Sequence, residues 1–186
     1  MNKDFVIKGH ICYSQDKSTL KVYESSYLVC VNGKSKGIFE NLPSEYKDLP
    51  LKDYGDKLII PGMVDLHVHA PQYAFRGMCM DLELMDWLNQ YTFPEEEKYT
   101  NLDYAKKAYS IFTKALKNSA TTRACIFATR HRDATVLLME LMEETGLVSY
   151  VGKVNMDREA SEALIEESAE ASAYNTFGWI NSVDNK

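Results

Sequence analysis

A chain of 186 residues, 45% apolar and 26% charged, has the composition of a globular protein, with length for one ordinary domain and part of a second. Its formal charge of −6 and the lack of any Lys/Arg run argue against a nucleic-acid partner, which needs a basic footprint. No stretch approaches about 18 consecutive apolar residues, so no membrane span is expected, and the opening Met1-Asn2-Lys3-Asp4-Phe5 has an early acid and no apolar h-region of a secretory signal.

Up to about residue 56 the pattern predicts short strands broken by turns, a small β lobe that forms part of a β-sandwich. Residues 5–11 and 27–31 are β-rich, Asn32-Gly33 is a hairpin signal, and Gly37-Ile38-Phe39 supplies the return strand. Pro43 and Pro50 bracket a loop. Strands this short need something to pack on.

From Lys57 the character changes. Residues 58–67 read as one short buried strand with a Pro61-Gly62 interruption, followed by a helical stretch over 82–88. A second helix is predicted over 101–118, with Asn101 as N-cap and Ala105, Ala108, Tyr109, Phe112, Ala115 and Leu116 at helical spacing. A strand over 121–129 follows. A helix over 133–145, burying Leu137, Leu138 and Leu141, closes on Gly146 as the residue after its C-cap. A strand over 147–154 and a helix over 157–174 complete the pattern.

Alternation of strand and helix implies an α/β fold with parallel strands. Three such units fall short of the eight in a (β/α)8 barrel, and the polar stretch 181–186 ends the chain, so it reads as the front of something larger. Cys12, Cys30, Cys79 and Cys125 are scattered without a C-x-x-C pair, which fits a reduced, cytoplasmic protein. Cys125, within Ala124-Cys125-Ile126-Phe127, is expected to be a small buried hydrophobe rather than a ligand.

Of the four histidines, His67 and His69 form an H-x-H pair. Side chains alternate across a strand, so both rings face one side, as does Asp65. Two imidazoles so placed can converge on one ion at about 2.0–2.1 Å each. The pair sits at the C-terminal end of its strand, the face on which barrel enzymes build active sites. A bare H-x-H also fits a solvated or structurally satisfied pair. The apolar strand, the Pro-Gly before it and the β/α pattern after it favour metal ligation.

Pro61-Gly62-Met63-Val64-Asp65-Leu66-His67-Val68-His69 resembles the first-strand signature of the amidohydrolase superfamily. His69-Ala70-Pro71-Gln72-Tyr73-Ala74-Phe75-Arg76-Gly77, then Asp86-Trp87-Leu88 and Tyr91-Thr92-Phe93-Pro94-Glu95, resemble its guanine deaminase branch. So do Ala120-Thr121-Thr122, the run Phe127-Ala128-Thr129 with His131, and Val151-Gly152-Lys153-Val154-Asn155-Met156-Asp157. The resemblance implies the start of a metal-dependent (β/α)8 amidohydrolase barrel, preceded by the small β lobe. Its first three β/α units would occupy 57–186, with the lobe at 1–56.

It further implies His67 and His69 as ligands of one divalent metal, zinc foremost with iron as the alternative. It places His69, Ala70, Pro71 and Gln72 in the purine pocket. The Gln72 amide carries both donor and acceptor and suits a purine edge, though it could instead pin the loop. Trp87 and Phe93 could wall the pocket, but aromatic residues beside a helix are more often core; His131, a loop histidine between two arginines, fits a structural or exposed role first and is a secondary candidate. In the family, later strands supply two more histidines, an aspartate, a proton-shuttling glutamate and an Arg-Phe pair that grips the purine. Beyond the two ligands no catalytic residue is visible in the sequence.

The implied activity is hydrolytic deamination of guanine to xanthine and ammonia in cytoplasmic purine catabolism or salvage. Guanine is the partner, nucleic acid and membrane are not, and a homodimer of the complete enzyme is compatible with it. Two other readings remain open. One is an amidohydrolase acting on another purine, a pterin or a triazine; the other is a non-catalytic truncated fragment.

Overall fold

The computed structural model describes residues 4–183. The opening and closing residues used above, 1–3 and 184–186, lie outside the described residues. The chain forms two compact units that divide at Pro61/Gly62, whereas the sequence pattern placed the change at Lys57.

The first unit is a four-stranded sheet in the order β3-β2-β1-β4, with β1 Phe5–Ser14, β2 Leu20–Val31, β3 Lys34–Phe39 and β4 Leu51–Ile59. β1 and β2 are antiparallel, as are β2 and β3, while β1 and β4 run parallel. The predicted hairpin forms, with Asn32 and Gly33 both at positive φ (55° and 72°), as a type I′ turn requires. Val6, Ile11 and Val29 are buried, whereas Leu20, Val22 and Leu58 remain exposed.

Residues 58–67 are not one strand. Leu58 and Ile59 pair with His10 and Ile11 in the first sheet, and a second strand, β5 Met63–His69, starts a separate ladder where Met63 N donates to Ala120 O (2.8 Å). Pro61 lacks the N–H needed to continue the first ladder. Gly62 runs so close to Thr122 that a Cβ would collide with its side chain.

The second unit holds a parallel sheet in the order β5-β6-β7, with β6 Thr121–Phe127 and β7 Val148–Gly152. The predicted stretch at 82–88 becomes a longer broken path: α1 Leu84–Trp87, a π-turn Leu88–Thr92, and α2 Phe93–Glu97. Helix α3, Leu102–Lys117, starts where Asn101 Oδ1 accepts from Asp103 N (2.9 Å) and Tyr104 N (3.2 Å). Its stripe Ala105, Tyr109, Phe112 and Leu116 is buried at helical spacing. Helix α4, Arg132–Glu143, buries Ala134, Leu138 and Met142 one turn apart, while Leu137 and Leu141 are only partly buried; Gly146 follows at φ 75°.

Both helices pack on Ala124, Ile126 and Ala128, the alternate residues on one side of β6 and its continuation. Burial of each large side chain in this layer contributes about 1.5–3 kcal/mol. Cys125 points to the opposite side and is half-buried, not the fully buried hydrophobe expected.

The predicted helix over 157–174 does not form as such; α5 spans Ala169–Val183. The preceding segment is irregular because Glu166 turns inward. Its carboxylate accepts from Lys153 Nζ (3.0 Å), Met156 N (3.3 Å), Ser172 Oγ (2.7 Å) and Asn175 Nδ2 (3.3 Å).

Candidate active site

His67 and His69 occupy the last turn of the β5 pleat and project to one side. Their Nε2 atoms lie 3.1 Å apart. His67 is exposed and His69 half-buried. Asp65 spends one carboxylate oxygen on the backbone N–H of His67 (3.1 Å).

A residue not anticipated from the sequence backs the pair. Phe127, paired with His69 in the β5–β6 register, lies against both rings, with centroids 4.5 Å from His67 and 4.9 Å from His69; it is nearly parallel to the latter (18°). The alternation of Ala124 and Ile126 against Cys125 and Phe127 was the available signal. Burial lowers the His69 pKa below the usual imidazole value, and the neighbouring His67 lowers it further.

The donors fit a shared ion. Their 3.1 Å nitrogen separation is within the reach of two metal bonds of about 2.0–2.1 Å each. Among the described residues no group of three or more His, Cys, Asp or Glu side chains comes together, so the pair is a two-donor cradle. His131 does not join it. It precedes α4 with its Nε2 buried and without a partner among the described residues, and burial, Arg130 and Lys153 all lower its pKa.

The loop after the pair begins with Ala70, whose N–H donates to Phe127 O (3.0 Å), and continues as a 3-10 turn over Pro71–Phe75. Ala70 and Pro71 are buried; Gln72 is half-buried, and among the described residues no hydrogen bond holds its amide. Phe93 is buried, and Trp87 packs on Phe75 at 5.5 Å.

Residues 58–179 match the family model described as "Amidohydrolase family". The chain belongs to the amidohydrolase family. Among amidohydrolases it is 39% identical over 142 residues to guanine deaminase of Rattus norvegicus, a match covering 76% of this chain and 30% of that protein. It is 37% identical over 158 residues to guanine deaminase of Escherichia coli (strain K12), covering 83% and 36% respectively. The crystal structure of guanine deaminase from C. acetobutylicum with bound guanine in the active site superposes with a TM-score of 0.91 at 41% identity, over 98% of this chain and 43% of that one. The chain thus spans well under half the length of these relatives. The fold is that of the start of an amidohydrolase barrel with a β-sheet preceding it.

Proposed function

We propose that the protein carrying this chain catalyses the hydrolytic deamination of guanine to xanthine and ammonia, and that this chain provides the N-terminal part of the site. The observation that carries the reading is the convergent His67–His69 pair, 3.1 Å between nitrogens, leading straight into Ala70-Pro71-Gln72 in a fold shared with guanine-bound guanine deaminase.

In this reading His67 and His69 hold one divalent ion through Nε2, with zinc favoured and iron the alternative. Such an ion would activate water at neutral pH by lowering its pKa toward about 7. Phe127 fixes the plane of both rings and excludes water from one side. Gln72 presents a half-buried amide able both to donate to and accept from a purine edge. Ala70 and Pro71 form the buried turn that carries it. The remaining ligands, the proton relay and the second grip on the base belong to later strands, by resemblance. The protein then acts in cytoplasmic purine catabolism or salvage, with a homodimer as its candidate assembly.

No helix among the described residues is long and apolar enough to cross a membrane. The test is turnover by the protein carrying this chain, followed as xanthine formed and ammonia released, before and after chelation. Metal-dependent conversion of guanine is expected. Conversion of another purine, a pterin or a triazine in preference to guanine would contradict the reading.

A further inference from the structure

Behind the loop that carries Gln72 lies a buried aromatic layer. Tyr99, Tyr104 and Tyr109 pack together, Tyr99 meeting Tyr109 at 4.8 Å and Tyr104 edge-on at 5.5 Å. Tyr99 and Tyr109 are 1% and 0% exposed, yet their hydroxyls differ in use. Among the described residues the Tyr109 hydroxyl has no partner, whereas that of Tyr99 donates to the backbone carbonyl of Pro71 (3.3 Å), the peptide that leads into Gln72.

The Tyr99 ring is itself held. The Tyr104 hydroxyl donates to Glu95, whose other oxygen accepts from Lys98 Nζ (2.7 Å), so the ring packed edge-on against Tyr99 is fixed at its far end. Burial foremost, then Glu95, Tyr104 and Glu96, push the Tyr99 phenol far above its usual range, so it remains a neutral donor at every working pH. A phenylalanine would fill the same slot. The hydroxyl adds only the bond to Pro71, and Pro71 has no N–H of its own with which to anchor the turn.

We propose that Tyr99 is a positioning residue for base recognition: by holding the Pro71 carbonyl it sets the orientation of Gln72 toward the purine. This rests on the reading of Gln72 as a purine contact. In the protein carrying this chain, Tyr99→Phe is expected to raise KM for guanine about three- to tenfold, the worth of one hydrogen bond, with kcat and metal content little changed. In a Gln72→Ala background the same substitution should add no further rise, because the two residues act through one contact. An unchanged KM, or an equal rise in both backgrounds, would overturn the proposal. Amide exchange gives a readout independent of turnover: the Tyr73 N–H, bonded to Ala70 O (3.3 Å), should exchange faster in Tyr99→Phe while the amides of α3 do not. If the wild type turns over no guanine, the functional reading fails. Exchange at Tyr73 unaltered by the substitution overturns the anchor whether or not guanine is turned over.

Discussion

Lys153 Nζ lies 3.0 Å from Glu166 Oε1, and both side chains are 1% exposed. Lys153 also reaches Val154 O (3.0 Å) and Asn155 Oδ1 (2.6 Å), so the pair closes the irregular segment after β7 onto the start of α5. Removing one partner of such a pair leaves a buried charge uncompensated, which costs about 3–5 kcal/mol. Glu166→Gln should therefore lower the urea midpoint by a corresponding amount; a change below about 1 kcal/mol would show the pair to be dispensable.

The same residue sets an acid limit. Desolvation raises the Glu166 pKa, but the bonds from Ser172, Lys153 and Asn175 outweigh it, and the folded value lies below the unfolded one. The stability it contributes is thus complete above the unfolded carboxylate value, about 4.3, and is lost as pH falls through the folded value. Thermal unfolding scanned downward from pH 5 should show a steeper loss in the wild type than in Glu166→Gln. Parallel curves would contradict this.

Glu96 behaves in the opposite sense. It is buried, and desolvation pushes its pKa up to about 7. Between the unfolded value and about 7 the folded state holds a proton that the unfolded state has released, so stability falls as pH rises through that window and is flat above it. The loss is of the order of 3 kcal/mol. Glu96→Gln should abolish the slope and be more stable than the wild type at pH 8, as read by denaturant unfolding at pH 5 and pH 8. A slope that persists in the variant would assign it to another group.

Legibility in the sequence followed the range of the interaction. Helix α3 was readable because Asn101 and the Ala105–Leu116 stripe are local signals, and the shared face of His67 and His69 follows from strand period alone. Strand β4 was not. Lys52-Asp53-Tyr54-Gly55-Asp56 has no apolar alternation, and backbone pairing with β1 creates the strand. The helical pattern over 157–174 does not reveal the irregular segment before α5, whose organising pair, Lys153 and Glu166, is separated by 13 residues. Tyr99 was invisible as a loop anchor for the same reason, since its acceptor Pro71 lies 28 residues away.

Gln72→Ala should raise KM for guanine while leaving metal content intact. A buried polar group of the base left unpaired costs about 1–3 kcal/mol, or roughly 5- to 160-fold in affinity. Steady-state kinetics beside elemental analysis checks both halves; unchanged guanine kinetics would remove Gln72 from the pocket.

Among the described residues no strand pairs with the outer edges of β5 and β7, and Leu66 and Tyr150 are 76% and 72% exposed. Exposed apolar strand edges favour association. The isolated 186-residue polypeptide should sediment as oligomers, bind metal weakly and not deaminate guanine. A monodisperse monomer converting guanine to xanthine would contradict this.

Under the proposed function His67 and His69 share one metal ion through nitrogens 3.1 Å apart. The most direct test is metal content by elemental analysis of the protein carrying this chain, beside His67→Ala and His69→Ala at matched folding. Loss of one ligand should abolish retention of the ion in each variant and guanine turnover with it. Full occupancy in both variants would show that the pair is structural and that the metal lies elsewhere.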